Sequence, residues 1–256
     1  MRWRAVERFE HEGATMLVKR PEGDREEGQA FLLVHGIGVA SSYWTRLAAV
    51  LARSGRVHVV ELPGFGGAPR PDEPLTIKQH AATVNAYLRS AGLDDAVLVG
   101  HSMGVQVVLD AALQDPRLVS GVVGIGGVVD PGARSTLEQA LRLLHDTLRE
   151  PPGANWAVLR DYVRTGPLTY LKTVPVMLGY RTEETLLGLR VPLLLMRGAR
   201  DPIAGPDWLE QMRRLAPEAR TVEIDGAAHV AMFTHPEEVA GAILTHARTA
   251  AGREPA

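Results

Sequence analysis

The chain of 256 residues contains no cysteine. That absence excludes disulfides, thiolate metal sites and cysteine nucleophiles together, and it makes a reducing interior the simplest home. Long apolar runs are missing as well. The opening stretch "MRWRAVERFEHEG" has no segment of the kind a signal peptide requires, and no later one approaches the ~20 apolar residues of a membrane helix. Nor does either charge dominate: 28 Lys and Arg against 30 Asp and Glu give a formal net charge of -2, with an isoelectric point near 6.5. Broad electrostatic capture of nucleic acid or an anionic membrane needs a clustered basic surface, which this balance does not supply. There is no repeat, no low-complexity tract and no metal-binding spacing such as H-E-x-x-H among the histidines. The expectation is a soluble, cytoplasmic protein without nucleic-acid, membrane or metal partners.

What is present is enough apolar residue, 45%, to bury a sizeable core, in a pattern of short β-rich runs alternating with helical ones. "RWRAVERF" and "ATMLVKR" read as an opening strand pair turning at Glu12-Gly13. "AFLLVHG", "RVHVVELPG", "DAVLVGHS", "LVSGVVGIGGVV", "VPLLLMRG" and "RTVEID" follow as strands. Between and after them, helices are predicted over Ser42–Ser54, Thr76–Ala91, Met103–Gln114, Pro206–Leu215 and Pro236–Arg248. Strands separated by helices in this order predict an α/β fold with a mostly parallel eight-stranded sheet flanked by helices.

From Asp130 to Leu189 no strand-like run occurs. Leu137, Leu141, Leu144 and Leu148 share one helical face, as do Trp156, Leu159 and Val163, and Pro151-Pro152, Gly166-Pro167 and Pro175 punctuate the segment. Residues 130–189 are therefore predicted to form a helical lid over a core made of 1–129 and 190–256, at the strand ends where open α/β sheets bind ligands.

Gly100-His101-Ser102-Met103-Gly104 fits G-x-S-x-G, a tight strand-to-helix turn that lifts a serine hydroxyl above the sheet, near the first amides of a helix. His35-Gly36-Ile37-Gly38 follows an earlier strand, where a second oxyanion donor is expected, so the N–H groups of Ile37 and Met103 are the candidate hole. The His35 side chain reads as structural, holding that loop. Asp201, in "MRGARDPIAGP", follows a buried strand and can orient a histidine. It ranks ahead of Asp130 and Asp225. His229, in "IDGAAHVAMFTHPEEV", is the candidate general base, while His235 reads as a helix-entry residue. His11, His58, His80, His101, His145 and His246 read as surface or packing residues. Serine, acid and histidine thus run in the order Ser102, Asp201, His229.

At this point the sequence resembles the α/β-hydrolase superfamily from Phe31 to about Ala247, on "LVHGIG", "ELPGFGGAP", "GHSMG", "GARDPI" and "AAHVAMFTHPEEV". The resemblance implies a Ser102 nucleophile, an Asp201 acid, a His229 base, and Ile37 and Met103 as oxyanion donors, with residues 130–189 as the cap. It is similar to the small capped esterases, enol-lactonases and carbon-carbon bond hydrolases. Glu61 stands where an aspartate is usual, and Val105 replaces a frequent glycine. Related dehalogenases and epoxide hydrolases carry an aspartate at the position of Ser102, which sets them apart. The implied activity is hydrolysis of a carboxylic ester of a small apolar substrate through an acyl-enzyme, with no metal or organic cofactor. Trp156, Tyr162, Tyr170, Met177, Leu178 and Tyr180 are candidate substrate contacts. Lactone or carbon-carbon bond cleavage, or a triad-retaining sensor, stays open as an alternative, as does monomer against homodimer.

Overall fold

The computed structural model describes residues 2–129, 152–216 and 218–252. Eight strands form one sheet in the order β1-β2-β4-β3-β5-β6-β7-β8. They are β1 (Trp3–His11), β2 (Ala14–Pro21), β3 (Ala30–Val34), β4 (Arg56–Glu61), β5 (Ala96–His101), β6 (Val119–Ile125), β7 (Leu193–Gly198) and β8 (Ala219–Ile224). The first two make an antiparallel hairpin. Its turn residues Glu12 and Gly13 both have positive φ, 49° and 77°, as the tight two-residue turn that matches strand twist demands. β2 joins β4 antiparallel, and every pairing from β4 to β8 is parallel.

Strands β3, β5 and β7 are buried at every residue, because helices cover both faces. Alternation distributes their side chains. Leu32 and Val34 join a core layer with Tyr87, Leu109 and Trp208, while Phe31 and Leu33 join the opposite layer with Trp44, Leu47 and Ile243.

The flanking helices are α1 (Thr45–Leu51), α2 (Ile77–Ser90), α3 (Met103–Gln114), α7 (Pro206–Leu215), a short α8 (Ala231–Thr234) and α9 (Pro236–Ala251). The helix α2 begins at a capping box in which the Thr76 side chain accepts from Gln79 N–H and the Gln79 side chain reaches back. One of the expected helices differs. The helix predicted over Ser42–Ser54 is a 3-10 turn, Ser41–Trp44, followed by α1, because Ser41 and Ser42 are drawn aside to hydrogen-bond carboxylates rather than to start a regular helix. The short α8 was not expected at all.

Between β6 and β7 lie three described helices, α4 (Pro152–Thr165), α5 (Pro167–Gly179) and α6 (Thr182–Gly188). Gly166, at φ 82°, makes the break between α4 and α5. Pro175 does not punctuate the segment but sits inside α5. Asp130, Leu137, Leu141, Leu144, His145, Leu148 and Pro151 lie outside the described residues. The face formed by Trp156, Leu159 and Val163 is exposed by 68%, 54% and 73%. The inward positions of α4 are instead Val158, Asp161, Tyr162 and Thr165, so the apolar periodicity pointed to the wrong side.

Candidate active site

The glycines explain how the serine is presented. A Cβ on Gly104 would lie 2.3 Å from the Val34 carbonyl oxygen, and one on Gly100 would lie 2.4 Å from that of Gly104. Only glycine lets the first turn of α3 press onto the end of β3 in this way. Ser102 then turns between β5 and α3 at φ 55°, ψ -121°, a conformation that costs a non-glycine residue about 1–3 kcal/mol and is held by its surroundings. Its N–H donates to the Ile125 carbonyl at 3.0 Å, and its carbonyl accepts from Val105 N–H at 3.0 Å.

The acid and the histidine come from the ends of β7 and β8, which stay joined past their last residues. Ala199 N–H donates to Ile224 O and Arg200 N–H to Ala227 O, both at 2.9 Å. Gly198 permits this approach, since a Cβ there would meet the Ala228 carbonyl oxygen at 2.1 Å. Arg197, only 4% exposed, clamps the acid loop by donating to the carbonyls of Ala204 at 2.7 Å and Asp201 at 3.1 Å.

Asp201 is buried. Its Oδ1 accepts from Ile203 N–H at 2.8 Å and Ala204 N–H at 3.0 Å. That leaves Oδ2 for His229 Nδ1, 2.8 Å away. Burial by itself would raise the Asp201 carboxyl, but the histidine's charge and hydrogen bond, with the two amides, hold it below the ordinary carboxylate value. An ionised acid here makes Nδ1 the protonated nitrogen of His229, so Nε2 is the basic one.

Ser102 and His229 line one solvent-open cleft of about 620 Å³, and Gly36, Ile37, Tyr43, His101, Val128, Ile203 and Val230 line it too. Ile37, beside β3, and Met103, at the first turn of α3, make no hydrogen bond through their N–H groups among the described residues. From the inserted helices come Val158, Tyr162, Tyr170 and Met177. Tyr162 and Tyr170 meet edge to face at 5.4 Å. They close on Gly38, where φ is 77° and a Cβ would lie 2.3 Å from Tyr162 Cε1.

The cleft therefore collects three of the six cap side chains expected to meet substrate. The other three lie elsewhere. Trp156 faces outward, Leu178 packs half-buried against the core, and the Tyr180 hydroxyl donates to Asp110 on α3 at 2.7 Å. Of the competing acids, Asp225 is exposed. His35 holds its loop as expected: Nδ1 donates to the Gly36 carbonyl at 2.7 Å, and Nε2 accepts from Leu62 N–H at 3.0 Å. His235 stands at the N-cap of α9.

Sequence reasoning missed a polar relay. Gly36 N–H donates to the Tyr43 hydroxyl at 2.8 Å, which donates to His101 Nδ1 at 3.1 Å, and His101 Nε2–H donates to the His229 carbonyl at 3.1 Å. His101 is thus more than packing: it bridges the loop of Ile37 and the loop of His229 from the position before Ser102. Burial, and then the neighbouring His229, hold its pKa well below the usual imidazole value, so it stays neutral. Only its place inside "GHSMG" hinted at this. Glu61, noted in the sequence as a departure, is a second hub. It accepts from Lys19 Nζ at 2.6 Å, the Ser41 hydroxyl at 2.6 Å and Gly67 N–H at 2.8 Å.

Comparison with known proteins agrees with the fold. Residues 31–242 match the alpha/beta hydrolase family, and the chain belongs to it. Relatives include polyketide synthase ThaQ of Burkholderia thailandensis, 28% identical over 89% of this chain but only 12% of that protein. Another is a pimeloyl-[acyl-carrier protein] methyl ester esterase of Aromatoleum aromaticum, 29% identical over 82% of this chain and 94% of that one. Among solved structures, the esterase RhEst1 from Rhodococcus sp. ECU1013 superposes with a TM-score of 0.78 at 21% identity, over 95% of this chain and 98% of that one. Among the described residues, no helix is long and apolar enough to cross a membrane.

Proposed function

We propose that this protein is a serine hydrolase that cleaves a carboxylic ester of a small apolar substrate, with Ser102 as nucleophile, His229 as base and Asp201 as its orienting acid. The observation that carries the reading is the 2.8 Å bond from His229 Nδ1 to a buried Asp201, at a cleft that Ser102 also lines from its strained turn. Nε2 takes the hydroxyl proton as Ser102 Oγ attacks the ester carbonyl carbon. The oxyanion forms against the N–H groups of Ile37 and Met103, each worth roughly 10²–10³ in rate. The imidazolium, stabilised by Asp201, gives its proton to the departing alkoxide. Water then attacks the acyl-enzyme, again losing a proton to Nε2, and Ser102 leaves with that proton as the acid is released.

The lining supports a neutral substrate. No Lys, Arg or Glu is among the described residues of the cleft, so a carboxylate next to the scissile bond would be desolvated without a partner. This favours an uncharged ester over the acidic substrates of carbon-carbon bond hydrolases, and a relative named for a methyl ester of an acyl chain fits the same class. The inserted helices act in this reading as the cap that shapes the acyl site.

The test is steady-state turnover of p-nitrophenyl esters of graded acyl length by the parent and by Ser102→Ala. The parent is expected to turn over repeatedly, and the variant to fall roughly 10⁴–10⁶-fold. An inert parent, or an alanine variant of equal activity, rejects the proposal.

A further inference from the structure

Asp161 stands out among the carboxylates that the proposed chemistry does not use. It lies on α4, is fully buried, and reaches out of the inserted helices into the loop that follows β3. There its Oδ2 accepts from Ala40 N–H at 3.1 Å and from the Ser42 hydroxyl. Its Oδ1 has no hydrogen-bond partner among the described residues, and the Arg160 guanidinium is 3.7 Å away. A buried carboxylate satisfied on one oxygen adds little net stability over an apolar residue, but it is directional. It tolerates only a position of α4 in which both donors are reached.

The loop it grips has other duties. Residues 36–42 carry Ile37, the proposed oxyanion donor. They carry Gly38, against which Tyr162 packs, and they end at the turn holding Tyr43, whose hydroxyl accepts from Gly36 N–H. Tyr162 is the residue after Asp161, and Val158 lies one turn before it. Both line the cleft. One side chain therefore fixes the wall of the acyl site relative to the loop that holds the oxyanion.

We propose that Asp161 is a positioning residue that docks α4 onto residues 40–42 and thereby sets the acyl-chain selectivity of the cleft. This rests on the ester-hydrolase reading. A short acyl group reaches little of the α4 wall, whereas a long one must lie against Val158 and Tyr162, so loosening the dock penalises long chains more. α4 keeps a separate tie one turn on, where Arg70 donates to the Thr165 carbonyl at 2.6 Å and Gly66 N–H to its hydroxyl at 3.4 Å. α4 thus stays attached when Asp161 is altered.

The experiment compares the parent, Asp161→Ala, Ser42→Ala and the double variant on p-nitrophenyl acetate and octanoate. Each single change is expected to lower the octanoate-to-acetate ratio of kcat/KM about tenfold, chiefly through KM for octanoate, with the double variant no worse than either single one. An equal fall on both esters, or an unchanged ratio, overturns the proposal, as does an additive double variant. If Asp161→Ala fails to fold, the Ser42→Ala ratio decides alone. Limited trypsin digestion of the native proteins separates this from the parent reading: if no ester is turned over, the ester reading falls, yet faster cutting after Arg160, Arg164 or Lys172 in Ser42→Ala still supports the dock. Equal cutting rates overturn it.

Discussion

Tyr43→Phe removes one oxygen and keeps the ring, which packs on Trp44 at 5.2 Å and on His101 at 5.4 Å. The lost hydroxyl accepts from Gly36 N–H and donates to His101 Nδ1, and Tyr43 is only 1% exposed. Two buried polar groups are left without a partner, at about 1–3 kcal/mol each. Taking the lower bound for both gives about 2 kcal/mol. For a chain of this size that lowers Tm by roughly 4–8 °C. Gly36 precedes Ile37, so the freed peptide also loosens the proposed oxyanion donor, and kcat is expected to fall on the order of tenfold, less than the 10²–10³ of a donor removed outright. Because the relay acts on the reacting end, the fall should be the same for acetate and octanoate, unlike the effect at Asp161. Thermal unfolding by circular dichroism and steady-state kinetics read the two effects. A variant that melts within 1 °C of the parent with unchanged kcat refutes the reasoning that Tyr43 and His101 hold the two loops in register.

Gly126→Ala tests the space behind the histidine. With φ at 58°, a Cβ would lie 2.9 Å from His229 Cε1 and 3.3 Å from Asp201 Oδ2, so a strain of about 1–2 kcal/mol should accompany a roughly 10²-fold loss of kcat; full activity in a folded variant would contradict it. Glu61→Gln tests the second hub. Burial opposes the Glu61 charge, yet Lys19, Ser41 and Gly67 outweigh it and bring the carboxyl from 4.5 down to about 2, so the charge contributes on the order of 3 kcal/mol above pH 4.5, lost as pH falls through about 2. Urea midpoints of parent and variant should therefore differ at pH 7 and converge near pH 2; equal midpoints at pH 7 reject the assignment. Burial also lowers His58 to about 4 and His80 to about 3, from 6.5. The unfolded chain takes up their protons first, so stability should decline below pH 6.5 by roughly 1.4 kcal/mol per pH unit for each, and a flat urea profile between pH 6.5 and 4.5 would rule this out.

The parts of this molecule that are legible in its sequence are those dictated by local chemistry. Short apolar runs bounded by turn signals fit strands buried on both faces, Glu12-Gly13 fits a tight turn, and the helical runs between them fit parallel crossovers, so the sheet class follows, though not the order of strands within it. Gly100 and Gly104 are legible because backbone packs where their side chains would be. Side chains that act across the fold are a different matter. Asp161 meets Ala40 and Ser42 across more than a hundred residues, and nothing near it in the chain announces a partner. Periodicity names a helix face but not the direction it points: the shared face of Trp156, Leu159 and Val163 is exposed, so Trp156 misses the cleft it was expected to line, while Tyr162, expected there, lines it together with Val158. Tyr180 shows the same limit in another form, because Asp110 and Thr185 supply partners for its hydroxyl away from the cleft.

The contacts divide the labour within the fold. Ser102, Asp201 and His229 are held by groups of the sheet and its loops: Ile125 O, the Ile203 and Ala204 amides, the Arg197 clamp and the Tyr43–His101 relay. None of those bonds involves α4, α5 or α6. Among the described residues, the inserted helices enter the cleft as apolar and tyrosine wall, and α4 reaches the loop of the proposed oxyanion donor Ile37 through Asp161 and the packing of Tyr162 on Gly38. On the proposed ester-hydrolase reading, changes in the wall should therefore alter which acyl chain is accepted while leaving the proposed nucleophile and base in place, whereas changes in the relay should slow every substrate alike. Asp161 is where the two sets of contacts meet, and its substitution is expected to move selectivity without touching either a reacting atom or the lining of the cleft.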